Sequence, residues 1–344
     1  PETLKRLPAE EFLKLASSIP VIDVRSPAEY GYGHIPGAFN IPLFDDSQRA
    51  EVGTIFKKEG NLQAVMKGID LAAPEMTARL RSAITLAEDG RLLVHCWRGG
   101  MRSEAMAWLF SVGGLTPALL EGGYKAYRNF ILRELGRERR YILLGGLTGS
   151  GKTHILKNIA LMGRQVTDLE GLACHKGSAF GALGQPPQPS SEHFANMLFA
   201  DIDKKSSDEF IWLEDESRNI GSVFMPDDFY VRMQESPVVA LMMSIDTRMP
   251  RLLEEYTAFP VEMILASVLK ISKRLGGDRT KQAVEAVEHR DFATAIRITL
   301  EYYDRAYSYG LSKRKNSQVV VVETDTDDLS VNARKVLDAA ETIK

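Results

Sequence analysis

Along the first 135 residues, short apolar runs alternate with amphipathic stretches. Glu10 to Ser17 has helical spacing, Val21-Ile22-Asp23-Val24 and Arg91-Leu92-Leu93-Val94 read as strands, and Ser103 to Phe110 returns to helical spacing. Gly33 to Ala38 is a turn leading to Asn40-Ile41-Pro42, helical stretches are expected around Glu59 to Met66 and over Glu75 to Glu88, and Leu119 to Tyr124 is a short strand and turn feeding a helix over Lys125 to Leu135. The segment Gly136-Arg137-Glu138-Arg139-Arg140 is charged and aperiodic, and the pattern then restarts with the strand Tyr141 to Leu144. Further strands are expected at Gln165 to Asp168, Phe210 to Leu213, Val238 to Ser244 and Gln318 to Val322, and Pro250 to Ser308 is mostly helical with a break at Leu275-Gly276-Gly277-Asp278. Strand and helix in alternation predict an α/β chain with parallel sheets. The expected organisation is one domain over 1–135, a basic junction at 136–140 and a second domain over 141–344 with a helical region about 250–308.

Composition narrows the classes. A length of 344 residues suits two domains, and a net charge of −3 excludes a uniformly basic nucleic-acid coat but leaves room for local cationic patches. The two cysteines, Cys96 and Cys174, stand in no CxxC pair, so a disulfide scaffold or structural zinc site is not expected and a reducing cytoplasm is. No apolar run approaches a membrane span, and the first residues lack the basic-then-apolar pattern of a leader, so no membrane partner is expected.

Candidate chemistry falls in two places. The stretch His95-Cys96-Trp97-Arg98-Gly99-Gly100-Met101-Arg102-Ser103 sets a cysteine in an anion-sized loop between a strand and a helix. Amides at the helix start, the helix dipole, Arg98 and Arg102 are expected to lower the thiol pKa and hold an oxyanion. The spacing C-x5-R is shared by cysteine phosphatases, whose thiolate attacks phosphorus, and rhodanese-type sulfurtransferases, whose thiolate carries a chalcogen; the loop alone admits both. Cys174 has no such setting and is expected to be non-catalytic.

The second place is Gly146-Leu147-Thr148-Gly149-Ser150-Gly151-Lys152-Thr153, which fits G-x-x-x-x-G-K-[ST] between an apolar strand and a helix. Gly146, Gly149 and Gly151 let amides face a phosphate, Lys152 neutralises its oxygens, and Ser150 and Thr153 offer hydroxyls, Thr153 to phosphate or Mg²⁺. Any diphosphate satisfies these donors. Supporting groups are expected at the ends of neighbouring strands: Asp168, Glu170, Glu214, Glu216 and Arg218, with Glu214 beside Thr153 as the place for a magnesium ion, and His175 as a rim or structural residue.

Asp23-Val24-Arg25, the run Gly33 to Pro42 and Glu121-Gly122-Gly123-Tyr124 resemble the paired signatures of rhodanese domains, in which the first segment buttresses the active loop. A rhodanese-like domain with the loop Cys-x-Arg-Gly-Gly-x-Arg-Ser, joined directly to a P-loop NTPase-like domain, resembles the tRNA 2-selenouridine synthases. The resemblance also takes in Asp168 to Ala173, His175 to Phe180 and Glu214 to Gly221. It implies a transferase that converts wobble 2-thiouridine of tRNA to 2-selenouridine with selenophosphate, through an S-geranylated intermediate made with geranyl diphosphate. It implies that Cys96 is the covalent selenium carrier, with Arg98 and Arg102 gripping the phosphate of selenophosphate. A selenophosphate-supplying enzyme becomes a possible partner. The P-loop is then expected to hold the diphosphate of geranyl diphosphate, with no requirement for ATP; Phe194, Met197, Leu198 and Phe224 are candidate walls for the isoprenoid, with a core role the stronger expectation for each.

Anticodon-loop RNA needs cations. The candidates are Arg137, Arg139 and Arg140 at the junction, Lys270, Lys273, Arg274 and Arg279 in the helical region, and Lys313-Arg314-Lys315. Two other readings stay open: a sulfurtransferase or cysteine phosphatase fused to a small-molecule kinase, and a non-enzymatic nucleotide-gated module, against which the loop cysteine with both arginines argues.

Overall fold

A computed structural model describes residues 4–314 and 318–343. The chain divides into two compact units, Pro1–Glu134 and Leu135–Lys344. In the first, five parallel strands, β1 (Lys5–Leu7), β2 (Val21–Asp23), β3 (Phe39–Asn40), β4 (Arg91–His95) and β5 (Thr116–Leu120), form a sheet in the order β1-β5-β4-β2-β3. β2 and β4 lie in its middle and are almost wholly buried, so they read as apolar runs rather than alternating ones. Their ends carry the chemistry: Asp23 lies opposite His95, and Cys96 follows directly.

The helical stretches expected around Glu59 to Met66 are two helices, Asp46–Glu59 and Asn61–Ala72. Gly60, at φ +96°, turns the chain there, and periodicity alone does not separate two helices joined by a single glycine. The short helix Pro27–Tyr32 was not expected; Ser26 and Glu29 cap it reciprocally and Pro27 opens it.

In the second unit β6 (Tyr141–Gly146), β7 (Gln165–Val166), β8 (Ile211–Glu214), β11 (Val238–Met243) and β12 (Val319–Thr324) form a parallel sheet in the order β12-β11-β6-β8-β7. A small antiparallel hairpin, β9 (Asn219–Ile220) with β10 (Val223–Phe224), stands apart. Central β6 is buried at every position and delivers the Gly146 to Thr153 loop to the start of helix Lys152–Leu161. The helical region is broader than expected: Ile245–Thr257, Val261–Lys270, Ser272–Leu275, Gly277–Glu288 and Phe292–Ser312, around their own apolar core that includes Leu252, Val268, Val287 and Leu300. No helix among the described residues is long and apolar enough to cross a membrane.

Candidate functional site

Two glycine contacts shape the Cys96 loop. Gly99 (φ +68°) and Gly123 (φ +63°) face each other so closely that a Cβ on Gly123 would stand 2.5 Å from the Cys96 carbonyl oxygen. Tyr124 and Lys125 donate their amides to the carbonyls of Cys96 (2.8 Å) and Trp97 (3.0 Å), so the start of helix Gly123–Leu135 clamps the loop from behind. Among the described residues, none of the amides of residues 98–102 donates to a backbone carbonyl, which leaves an arc of donors for an anion at the start of helix Met101–Val112. The Cys96 thiol is 3% exposed and lies 3.3 Å from the Ser103 hydroxyl, which in turn donates to the Gly100 carbonyl at 2.9 Å.

Below the loop Asp23 and Arg25 are buried and joined by a bidentate pair, 2.6 Å from Nη2 to Oδ2, and Arg25 also donates to the Gly33 carbonyl at 2.7 Å. The Arg25 guanidinium lies 3.8 Å from the centre of the Tyr124 ring. Burial works against the Asp23 charge, but His95 and Arg25 outweigh it and hold its pKa below the ordinary value; burial also drives the His95 pKa down. These residues are supports, as the buttress role implied. Of the two loop arginines, Arg98 is exposed, whereas Arg102 turns to Glu29 at 2.7 Å rather than into an open anion site.

The phosphate loop lines a cleft of about 630 Å³. Gly151, at φ +80°, begins the helix, and a Cβ there would collide with the Arg251 guanidinium. The amides of residues 151–153 are likewise not spent on backbone bonds among the described residues, and Lys152 Nζ folds back onto the Gly146 carbonyl at 3.2 Å. Thr153 donates to Glu170 at 2.7 Å, and Glu216 comes beside Glu170 over Gly177, whose missing Cβ leaves both carboxylates room. Burial first, and then the Glu170 charge, pushes the Glu216 pKa up to about 8. Asp168 caps helix Leu169–Leu172 by accepting from Gly171 at 2.6 Å and also lines the cleft.

Three expectations change here, at Glu214, Ser150 and Arg218, while His175 keeps its reading. Glu214 is not beside Thr153: it is fully buried, accepts from the Leu169 amide at 2.8 Å and has its pKa well raised, chiefly by burial, so Glu170 takes the place given to it. The Ser150 side chain is buried under the loop, which leaves only its backbone for a phosphate. Arg218 is exposed and pairs with Asp227, away from the cleft lining. His175 is wedged against Gly181 and Gly221 with burial lowering its pKa, a structural position.

Residues 139–337 match the family described as the tRNA 2-selenouridine synthase AAA domain, and residues 8–130 match the rhodanese-like domain. A tRNA 2-selenouridine synthase of Bordetella petrii is 34% identical over 89% of this chain and 90% of its own length. Another, from Pseudomonas syringae pv. syringae, is 35% identical over 85% of this chain and 88% of its own.

The chain belongs to the tRNA 2-selenouridine synthase family.

An N-terminal domain solved from Clostridium difficile 630 is 37% identical, covers 38% of this chain and 99% of its own, and superposes with a TM-score of 0.34. As a tRNA-modifying enzyme, a 2-selenouridine synthase must present cations to RNA, and the candidates separate by burial. Arg137, Lys273 and Lys313 are exposed. Arg139 donates to the Ile202 carbonyl (3.4 Å), and Arg140 donates to the Asp208 carbonyl (3.0 Å) and lies over the Phe210 ring, so both arginines also brace the second unit. Arg279 pairs with Glu301. Arg314 is corrected outright: its side chain is 7% exposed and ion-paired with Asp215 inside the cleft, where Arg274 also reaches. Lys315 lies outside the described residues.

Two cleft arginines escaped the sequence reading. Arg248, buried, donates to the Thr148 carbonyl of the phosphate loop at 2.8 Å and pairs with Asp304 at 2.6 Å. Arg251 lies against Gly151, and its buried Nη1 has no hydrogen-bond partner. The signal was Ser244, a helix cap at the end of a strand, which puts both arginines on the first turns of a helix facing the loop. Phe194 and Leu198 are core residues, in line with the stronger expectation, whereas Phe224 is exposed on β10; the apolar lining of the cleft comes from Phe180, Leu252, Tyr256, Tyr302 and Leu311.

Proposed function

We propose that this enzyme converts wobble 2-thiouridine in tRNA to 2-selenouridine in two steps, one at each loop, in the cytoplasm. In the first, the sulfur at C2 bonds to C1 of geranyl diphosphate as the C1–O bond breaks; diphosphate leaves with the electron pair and N3 gives up its proton. In the second, the selenium of selenophosphate bonds to C2 as the C2–S bond breaks, sulfur departs with the geranyl group as a thiolate that takes up a proton, and water then breaks the Se–P bond to release phosphate.

The observation that carries this reading is that the phosphate-loop cleft joins a diphosphate cradle to an apolar wall. Lys152, the loop amides and Arg251 share the lining with Leu252, which packs against Gly149 of the loop, and with Phe180 stacked on Tyr256. That pairing suits a prenyl diphosphate, and no ATP is required. A magnesium ion carried in by the diphosphate would be held by Thr153, Glu170 and Glu216, because a cation relieves the repulsion between those two carboxylates; bound there it supplies neutralisation of the leaving charge. In the other unit, the open amides 98–102 with Arg98 and Arg102 suit the phosphate of selenophosphate, delivered by the enzyme that makes it, and set its selenium at the Cys96 loop.

Nucleoside mass spectrometry of tRNA from cells carrying each variant tests the assignment. Cys96→Ala is expected to accumulate S-geranylated thiouridine, and Lys152→Ala unmodified thiouridine. Loss of selenation of already geranylated tRNA in Lys152→Ala, with geranylation intact, overturns it.

A further inference from the structure

The rhodanese-like domain has an apolar groove of about 1000 Å³ beside the Cys96 loop, which the two steps above leave unassigned. Helix Asn61–Ala72 presents Ala64 and Gly68 to it, buried residues with too little side chain to fill the space, and Phe44 lies at its floor. Around the opening, Phe56, Ile69 and Met101 are 54%, 62% and 56% exposed. Three large apolar side chains left open to water around one cavity are the mark of a site with an occupant, since each square ångström of apolar surface withdrawn from water contributes roughly 25 cal/mol.

The rim tells what kind of occupant. Arg49, Lys57, Arg98 and Arg102 border the groove; Arg49 and Arg102 share Glu29, and Glu104, the one carboxylate among the lining residues, pairs with Arg6, so Lys57 and Arg98 set the positive sign of the rim. An apolar floor under a cationic rim is complementary to a molecule with a hydrocarbon part and a polyanionic part. Met101 and Arg102 are the first residues of the helix that follows the Cys96 loop, so the groove and the reactive loop are continuous.

We propose that this groove receives the geranyl group of the S-geranylated base while C2 is presented to the Cys96 loop, with the flanking RNA phosphates on the rim cations. The proposal rests on the two-step reading above and adds to it a second prenyl site, separate from the diphosphate cleft. The rhodanese-like domain thereby selects alkylated over free thiouridine, because a chain of ten carbons fits within the groove and the unalkylated base leaves it empty.

The test uses the full chain and two substrates, tRNA bearing 2-thiouridine and tRNA bearing S-geranyl-2-thiouridine. The variant is Phe56→Asp/Ile69→Asp, whose sites are exposed enough for the fold to tolerate charge, checked by thermal melting. Selenation of the geranylated tRNA is expected to show a KM at least tenfold higher, with geranylation of the thiouridine tRNA unchanged and Ile69→Leu behaving as wild type. By direct binding, wild type is expected to prefer geranylated over thiouridine tRNA and the double variant to lose that preference. A wild-type KM and preference in the double variant overturns the groove while leaving the two-step reading standing. A wild-type enzyme that forms no geranylated tRNA from geranyl diphosphate overturns the reading and the groove with it. A dimer of wild type that the double variant breaks, seen by light scattering, assigns the groove to a second copy and also overturns the proposal.

Discussion

Glu214 and Glu216 are two residues apart and look equivalent in the sequence, yet they do opposite things. Glu216 reaches the cleft, whereas Glu214 points behind the sheet at the Leu169 amide with no water to share its charge. A carboxyl whose folded pKa is raised contributes its full stability below its unfolded pKa, and that stability is lost as the pH climbs toward the folded value. Glu214→Gln, which keeps the shape of the neutral acid, is therefore expected to melt like wild type near pH 4 and above it with a gap that widens as the pH rises past the unfolded carboxyl value of about 4.3. A gap that narrows with rising pH contradicts the burial argument. Which of several strand-end carboxylates faces a ligand depends on the last degrees of strand twist, and residue type does not encode that. Cys96 was legible because its neighbours, two glycines and two arginines, have no use in a core.

At the scale of elements, the strands that hold the sites were legible because central parallel strands are short unbroken apolar runs. The contact between Gly99 and the Gly122-Gly123 turn was not, since it joins segments distant in sequence through backbone alone. Gly123→Ala is expected to be severe: a left-handed φ costs an L-residue about 1–2 kcal/mol, and the Cβ would also push the Cys96 carbonyl away. The expected result is a drop in stability of at least about 2 kcal/mol in urea unfolding, with alkylation of Cys96 by iodoacetamide accelerated as the loop opens. The helix carrying Arg248 and Arg251 was misplaced for a different reason. Pro250 reads as a first-turn proline, but Ser244 starts the helix earlier and the proline sits inside it, so Arg248 fell outside the expected helix and the turn facing the phosphate loop was missed.

For the whole molecule, a net charge of −3 hides how the cations are distributed. Lys152, Lys176, Arg251, Arg274 and Arg314 line the phosphate-loop cleft, while Arg137, Lys273 and Lys313 are exposed and are the proposed contacts for RNA. Affinity for tRNA is expected to fall linearly on a log–log plot against salt. Replacing those three surface residues together by alanine is expected to flatten the slope by about 2, at roughly 0.7–0.9 per phosphate neutralised. An unchanged slope in filter binding would move the RNA interface elsewhere. Sequence order alone shows the two units and the identity of their loops. It is silent on which basic residues are spent internally, because an arginine paired with a buried aspartate and one facing solvent are spelled alike.

The pairing of Arg102 with Glu29 has one more consequence. Burial raises the Glu29 pKa, but the Arg102 hydrogen bonds and charge outweigh it and keep the carboxyl below its ordinary value, so it is ionised at working pH. The loop's arginine thus rests on a tethered decoy anion, and any soluble anion must compete with a carboxylate that never diffuses away. Singly charged ions such as chloride lose that competition, and a dianionic phosphoryl group, which also takes up the loop amides, wins it. Glu29→Gln keeps the helix cap but removes the decoy. Chloride is then expected to inhibit selenation several-fold more strongly when the rate is followed against added sodium chloride, so that the resting pair acts as a filter against singly charged anions.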